Sequence, residues 1–316
     1  MQTILKLNPI FKEKIWGGNR LQTMFGYSIP SNKTGECWAI SAHENGDNII
    51  ENGEFKGRKL SEIYKNYRYL FSNIKSNTFP LLSKIIDATD DLSVQVHPNN
   101  DQALKYNEPL GKTECWYILS AEENSEIIYG HTAQSEASFR NMIETGKWNK
   151  LLKRVPVKSG DFFYVPAGTL HAIGKGITIL ETQQSSDTTF RVYDYDRVDN
   201  QGCPRDLHIE SSIEVTTIPH KVPNVTPVKT SGPGYEQKKL IEAEYFTVSL
   251  FNIQTVLSLK NSTFSLVNVI EGEVTINNQM FKKGDHLIVT SIEDKIQIQG
   301  MCTLIIATPG PEILND

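Results

Sequence analysis

The chain has 316 residues, 39% hydrophobic and 22% charged, a composition typical of a folded globular protein with room for about two domains. Its 32 basic and 37 acidic residues give a net charge of −5, which argues against a nucleic-acid partner. No stretch reaches the roughly 20 apolar residues of a membrane helix, and residues 1–18 lack the apolar core of a secretion signal. We therefore expect a cytoplasmic protein without a membrane partner.

Helical periodicity is scarce and occurs at two places. Apolar residues recur at positions 60, 63, 64 and 67 within residues 58–71, and at positions 139, 142, 143 and 151 within residues 135–155. Two short helices are predicted there. Much of the remaining chain consists of short β-branched and aromatic runs bounded by Gly, Pro, Asn and Asp, for example at 115–119 and 161–165. This rhythm is typical of β-sandwiches and barrels, so the predicted fold class is mainly β.

A change in composition suggests a domain boundary. Residues 221–239 contain three prolines and two glycines with almost no periodic apolar signal. We predict an N-terminal domain at 1–235, ending in a linker at 221–235, and an all-β C-terminal domain at 236–316. Within the latter, alternation over residues 264–281 predicts a hairpin region with turns at Glu271-Gly272 and Asn277-Asn278.

An internal repeat relates the two predicted domains. Residues 158–166 (KSGDFFYVP) align without a gap with residues 282–290 (KKGDHLIVT). Extending the alignment sets Gly168 against Ile292 and His171 against Lys295. We therefore expect two related β units, of which the second lacks whatever chemistry His171 supports.

The cysteines are dispersed, and the sequence offers a different candidate for a metal site. Cys37, Cys115, Cys203 and Cys302 form no C-x-x-C pair, so reduced thiols are expected. The candidate ligands are nitrogen and oxygen donors, namely Gln95, His97, Glu114 and His171. Such a set, without a thiolate, suits a metal with one position open to water or substrate.

Local patterns support this candidate without deciding it. On a strand, the two-residue spacing of Gln95 and His97 directs both side chains to one face. Glu114 stands at the entrance of a later strand, and His171 follows a Pro/Gly turn, where loops carry functional groups on a rigid scaffold. The alternative for each histidine is a hydrogen-bonded residue of the core or the surface.

Other polar residues also permit two interpretations. Lys84 lies on an otherwise apolar strand, from which a lysine usually extends its ammonium outwards. Glu181, Asp187 and Arg191 belong to a polar run after an apolar strand, either as solvated loop residues or as site residues. The Trp-Gly-Gly and Gly-Glu-Cys-Trp motifs at 16–18 and 35–38 are consistent with a turn and a packed edge.

Seven motifs together give the sequence a family resemblance. They are IWGG (15–18), GECW (35–38), PLLSK (80–84), SVQVHP (93–98), GKTE (111–114), VPAGTLHA (165–172) and ETQQSSDTTFRVYD (181–194). With these motifs the chain resembles, over nearly its whole length, the type I mannose-6-phosphate isomerases of bacterial short form in the cupin superfamily. The resemblance implies two cupin-type β-barrel (jelly-roll) units, with a few short helices in the N-terminal part and a metal-free C-terminal unit.

The resemblance also implies an activity and the residues that perform it. Members of the family interconvert mannose 6-phosphate and fructose 6-phosphate, so the partner would be a small phosphosugar. The cofactor would be one Zn²⁺ per chain, held by Gln95, His97, Glu114 and His171. Arg191 would be the active-site arginine, and the phosphosugar pocket would be lined by Lys84, Ser93 and Lys112.

The chemistry of the reaction suggests further roles. Isomerisation removes a proton next to the carbonyl and develops negative charge on an enediolate oxygen. Glu181 is the predicted base, because burial tunes a carboxylate towards the useful range. Arg191 offers fixed positive charge to the oxyanion. Lys84 and Lys112 supply the charges that a phosphate needs, and Lys112 also counts among the catalytic candidates.

Two departures from the family pattern concern the sugar. Relatives of longer form carry a histidine where this chain has Gly111, and an aromatic residue where it has Ile173. Discrimination between sugars is therefore expected to differ. Two alternatives stay open, a cupin isomerase of a different phosphosugar and a sugar-binding cupin without turnover.

Overall fold

The computed structural model describes residues 2–198 and 202–315, and it is mainly β, as predicted. The first strands are β1 (Ile4–Asn8), β2 (Ile10–Gly18), β3 (Thr34–Ile40), β4 (Ala42–His43), β5 (Gly46–Asp47), β6 (Ile49–Ile50), β7 (Leu81–Ala88), β8 (Val94–Val96), β9 (Glu114–Ala121), β10 (Glu126–His131), β11 (Leu152–Pro156), β12 (Phe162–Val165), β13 (His171–Ile173), β14 (Ile177–Gln184) and β15 (Phe190–Tyr193). The later strands are β16 (Val228–Gly232), β17 (Tyr235–Glu242), β18 (Phe246–Ile253), β19 (Val256–Lys260), β20 (Ser265–Ile276), β21 (Gln279–Lys282), β22 (His286–Val289) and β23 (Lys295–Pro309).

Short helices connect these strands. They are α1 (Arg20–Phe25), α2 (Leu60–Asn66), α3 (Asn100–Leu104), α4 (Glu136–Glu144), α5 (Trp148–Leu151), α6 (Ile209–Val215) and α7 (Pro311–Asn315), with 3₁₀ turns at Gly53–Phe55 and Arg68–Phe71. Within the part of the chain that the structure describes, no helix is long and apolar enough to cross a membrane.

Three large sheets organise the chain. A five-stranded sheet has the order β11-β10-β13-β8-β15, and a six-stranded sheet has the order β12-β9-β14-β7-β3-β2. The third sheet has ten strands and combines β16 to β23 with β1 and β6 from the N-terminal part. The strands described are arranged as open sheets rather than as closed, hydrogen-bonded barrels. The division of the chain into domains at 1–235 and 236–316 stays a prediction.

Apolar clusters hold the sheets in layers. Trp116 and Ile179 of the six-stranded sheet share a buried cluster with Ile127 and Ile173 of the five-stranded sheet, so these two sheets lie face to face. The opposite face of the six-stranded sheet packs on the ten-stranded sheet, in a cluster that includes Leu180. Because β7 and β14 are central strands covered on both sides, every one of their residues is buried. Full burial of each large apolar side chain contributes about 1.5–3 kcal/mol.

The predicted helices are shorter in the structure. Residues 58–71 form α2 followed by a 3₁₀ turn, and residues 135–155 form α4 and α5 and then strand β11. The prediction of helix up to Val155 is therefore wrong. Val155 instead pairs with Ile127 of β10, and this tertiary pairing overrides the local helical spacing.

Two turn predictions had different outcomes. The turn at Asn277-Asn278 is confirmed, because both residues have positive φ (45° and 64°) and Ile276 pairs directly with Gln279. The turn at Glu271-Gly272 is wrong, since both residues lie inside β20 at a shift in its pairing with β23. Part of the predicted linker is also strand, because β16 pairs with β17.

The two copies of the internal repeat share one local structure. In the first copy, the amide of Lys158 donates to Asp161 Oδ2 over 2.9 Å, and in the second the amide of Lys282 donates to Asp285 Oδ2 over the same distance. The glycine between them has φ of 89° in the first copy and 87° in the second. Each turn leads into a strand, β12 or β22.

Candidate functional site

Strand pairing brings three predicted site residues side by side on the five-stranded sheet. His171 of β13 lies opposite Gln95 of β8, and Gln95 lies opposite Arg191 of β15. Directly paired residues project to the same face of a sheet. A single row of side chains therefore combines an imidazole, an amide and a guanidinium.

A second row lies on the six-stranded sheet. Glu181 of β14 is paired with Trp116 of β9 on one side and with Lys84 of β7 on the other, and Lys84 is paired with Trp38 of β3. Lys84 is only 3% exposed, so of its two interpretations the outward-pointing one is wrong. Its ammonium lies 4.4 Å from the centre of the Trp38 ring, a cation–π contact that replaces part of the lost hydration.

Three of the four predicted metal ligands meet between these sheets. The candidate ligand atoms of His97, Glu114 and His171 lie within 4.8 Å of one another, and all three side chains are buried. His171 Nδ1 donates to the carbonyl of Thr169 over 2.8 Å. With the proton on Nδ1, the lone pair of Nε2 is available to a metal. His171 Nε2 and Glu114 Oε1 have no hydrogen-bond partner among the described residues, whereas Glu114 Oε2 is ion-paired with Lys112.

This donor set fits a divalent metal. Burial lowers the pKa of His171 to about 4, even though its hydrogen bond to Thr169 acts in the opposite direction, and burial and the charge of Lys112 lower the pKa of His97. Both imidazoles are thus neutral, the form that binds a metal. Gln95 lines the adjoining cavity directly opposite His171.

Lys112 lies against the same cluster. Its Nζ is 3.0 Å from Glu114 Oε2 and 3.0 Å from His97 Nε2. Burial disfavours the charged ammonium, but the charges of Glu114 and Glu181 outweigh burial and raise the pKa of Lys112. Lys112 therefore carries a fixed positive charge at the bottom of the cavity.

The cavity that Gln95 and Lys112 line beside the cluster has a volume of about 220 Å³ and a predominantly cationic wall. Ser93 is buried there and accepts a hydrogen bond of 3.3 Å from Arg191 Nε. The charged side chains of the wall are five cations and three acids: Lys14, Lys84, Lys112, Arg191 and Arg205, with Glu36, Glu181 and Asp187. An anionic substrate is favoured by this excess of positive charge.

Glu181 is a buried strand residue, not a solvated loop residue. Its Oε1 accepts a hydrogen bond of 3.0 Å from Trp116 Nε1, while Oε2 has no hydrogen-bond partner among the residues described. Burial and the charge of Glu114 raise the pKa of Glu181, although Lys112 and Lys84 oppose the shift. Glu181 thus offers a free carboxylate oxygen to the cavity.

Sequence reasoning missed three charged residues of the cavity wall, Lys14, Glu36 and Arg205. Glu36, assigned to a packed edge, is 8% exposed and accepts a hydrogen bond of 2.8 Å from Trp38 Nε1. Lys14 Nζ lies 3.2 Å from Glu36 Oε1. A single acid in an otherwise uncharged, buried strand (TGECWAI) was a usable signal for Glu36. Arg205 follows no periodic pattern, and only the folded chain brings it to the cavity.

The two departures from the family pattern have structural counterparts. A Cβ on Gly111 would lie 2.5 Å from the carbonyl carbon of Asn99, so the backbone fills the space that a side chain would need. Ile173 is buried and contributes an apolar surface to the cavity.

Comparisons with known proteins agree over nearly the whole chain. Residues 4–112 match the family described as phosphomannose isomerase type I, catalytic domain, and residues 236–309 match the mannose-6-phosphate isomerase cupin domain. A mannose-6-phosphate isomerase of Streptococcus mutans is 53% identical over 95% of this chain and 96% of its own length. Mannose-6-phosphate isomerase ManA of Bacillus subtilis is 48% identical over 96% and 98%. A crystal structure of the mannose 6-phosphate isomerase from Bacillus subtilis superposes with a TM-score of 0.94 at 45% identity, covering 97% of this chain and 100% of that chain.

Proposed function

The chain belongs to the type I phosphomannose isomerases, a family of cupin-like fold, and from this premise we propose that it interconverts mannose 6-phosphate and fructose 6-phosphate through an enediolate. The resemblance predicted from the motifs is confirmed. The observation that carries the proposal is the buried cluster of His97, Glu114 and His171, which adjoins a cationic cavity through Lys112 and Gln95. The complete set of reactive groups favours an enzyme over the alternative of a sugar-binding cupin without turnover.

The proposed cofactor is a single Zn²⁺, held by the three clustered side chains and by Gln95. Two nitrogen and two oxygen donors suit zinc, and the unpartnered atoms of Glu114 and His171 are free to ligate it. When bound, the ion would act as a Lewis acid towards the oxygens of the substrate.

The remaining steps are assigned to side chains of the cavity. Glu181 takes the proton from the carbon next to the carbonyl and returns it to the former carbonyl carbon, a task suited to its unpartnered Oε2. The hydroxyl proton of that first carbon passes to the former carbonyl oxygen at the enediolate stage, so that the second carbonyl can form. Arg191 stabilises the negative oxygen of the enediolate, and Lys112 adds a second positive charge. Lys84 and Ser93 bind the sugar phosphate along the same wall.

We further propose that the chain contains two cupin units and that the unit at 236–316 binds no metal. Its interior is a cluster of apolar side chains, among them Phe251, Val269 and Leu287. Lys295 occupies the sequence position that corresponds to His171.

A coupled assay with mannose 6-phosphate, before and after treatment with a chelator, tests the proposed activity. Turnover that is lost on metal removal and restored by Zn²⁺ is the expected result. Absence of turnover in zinc-loaded protein would overturn the proposal.

A further inference from the structure

Arg205 lines the cavity although it lies outside every motif that identified the family. Its Nε donates to Asp194 Oδ2 over 2.8 Å, and its Nη2 donates to Asp194 Oδ1 over 2.5 Å. This bidentate pairing fixes the plane of the guanidinium. Asp194 is 4% exposed and follows β15 directly, so it is a rigid anchor.

Backbone contacts hold Arg205 beside Arg191. The carbonyl of Asp206 accepts a hydrogen bond of 2.7 Å from Arg191 Nη1, and the amide of His208 donates to the carbonyl of Arg191 over 2.8 Å. The segment containing residues 205–208 therefore runs along β15. Two guanidinium groups and the hydroxyl of Ser93, which accepts from Arg191, share one region of the cavity wall.

Two like charges held together favour an anion between them. Burial and the charge of Arg205 lower the pKa of Arg191, and the carboxylates of Asp194 and Asp206 compensate only in part. A phosphate dianion beside them would relieve the repulsion, and the planar guanidinium of Arg205 can donate hydrogen bonds to it while Arg191 stays directed to the reacting end of the sugar.

The position of Ser93, which lines the cavity together with Arg205, also fits the length of the substrate. Ser93 precedes the metal-ligand candidate Gln95 by two residues, which on extended chain is a separation of about 6–7 Å. In an open-chain hexose 6-phosphate, several carbons likewise separate the reacting end from the phosphate.

We infer that Arg205, oriented by Asp194, binds the phosphate of the substrate together with Ser93 and so makes the enzyme specific for phosphorylated sugars. The inference rests on the proposed isomerase function. Because a phosphate carries its charge in the ground state and in the transition state alike, this contact affects binding more than the chemical step.

The test compares Arg205→Ala and Arg205→Lys with the wild-type holoenzyme. Arg205→Ala should raise KM for mannose 6-phosphate roughly tenfold to a hundredfold while kcat stays within about threefold. Arg205→Lys retains the charge without the planar group and should recover part of the loss. Thermal unfolding verifies that both variants fold.

Arg197→Ala is the matched control. Arg197 Nη2 also donates to Asp194, over 2.6 Å, but its Nη1 is directed to Asp90 and its side chain does not line the cavity. KM should therefore stay within about twofold of wild type. An equal rise in KM in Arg197→Ala would overturn the inference, because the effect would then belong to the whole Asp194 network.

Calorimetry with inorganic phosphate gives a readout that does not depend on turnover. Phosphate affinity should fall in Arg205→Ala in parallel with the rise in KM. Unchanged affinity, or a fall in kcat without a change in KM, would overturn the role of Arg205. A wild-type protein without turnover would overturn the proposed function alone, and calorimetry would still decide the inference.

Discussion

Glu181 and Lys84 lie directly opposite each other in the pairing of β14 with β7, and both side chains are buried. Their side chains therefore lie side by side on the face of the six-stranded sheet that lines the cavity. The lysine opposes the rise in the pKa of Glu181 that burial and Glu114 cause. The charge of Lys84 thereby favours the ionised carboxylate of Glu181, which is the form that can accept a proton.

Replacing Glu181 by glutamine should lower kcat roughly a hundredfold to ten-thousandfold and change KM little, because the amide cannot accept the substrate proton. Steady-state kinetics measures the loss. Exchange of the transferred hydrogen with deuterated solvent should fall in parallel. Metal content must stay at the wild-type value, and normal turnover by Glu181→Gln would rule out Glu181 as the base.

Removing either clustered imidazole should release the metal. We expect one zinc ion per wild-type chain by elemental analysis, and a small residual fraction together with abolished turnover in His97→Ala and His171→Ala. His286→Asn serves as the control, since His286 is equally buried but lies in the ten-stranded sheet. Wild-type metal content in the two alanine variants would contradict the assigned ligands, and two ions per chain would contradict a metal-free C-terminal unit.

Arg191→Ala should lower kcat roughly a hundredfold to a thousandfold, because the guanidinium meets charge that develops mainly in the transition state. Arg191→Lys retains the charge but loses the planar group, and it should recover only part of the rate. Thermal stability and zinc content separate this effect from misfolding. Near-normal kcat in Arg191→Ala would refute the catalytic role of Arg191. Lys112 would then be the cation proposed to stabilise the enediolate.

Acid should destabilise the protein partly through Glu36. Burial raises its pKa, but the charges of Lys84 and Lys14 outweigh burial and, with hydrogen bonds from Trp38 and Lys14, lower the pKa to about 2. Because this pKa is below the ordinary 4.5, ionised Glu36 stabilises the folded protein by about 3 kcal/mol. This stabilisation is complete above pH 4.5 and is lost as the pH falls to about 2.

Denaturant unfolding of metal-stripped protein between pH 5 and pH 2 measures this contribution. In Glu36→Gln the free energy of unfolding should be lower at pH 5 and should depend less steeply on pH across the same window. Glu273→Gln removes an exposed carboxylate and should leave the slope as in wild type. Identical slopes for wild type and Glu36→Gln would disprove the prediction.

The sequence by itself was sufficient for the β class, the family and the ligand candidates His97, Glu114 and His171. Strand alternation and turn residues are local properties, and an Asn-Asn turn forms wherever two residues accept positive φ. The family motifs could also be identified from the sequence, because each is a short run of consecutive residues.

Tertiary structure alone decided which side chains face the cavity. A lysine on an apolar strand usually extends outwards, but β7 is a central strand with no solvent face. Lys84 therefore contacts the buried ring of Trp38 and the carboxylate of Asp187, whose side chain is 37% exposed. Residues 152–155 continued a helical pattern, yet pairing with β10 made them strand. Arg205 reaches the cavity through an irregular segment whose path is fixed by hydrogen bonds to β15, a long-range arrangement that no spacing along the chain encodes.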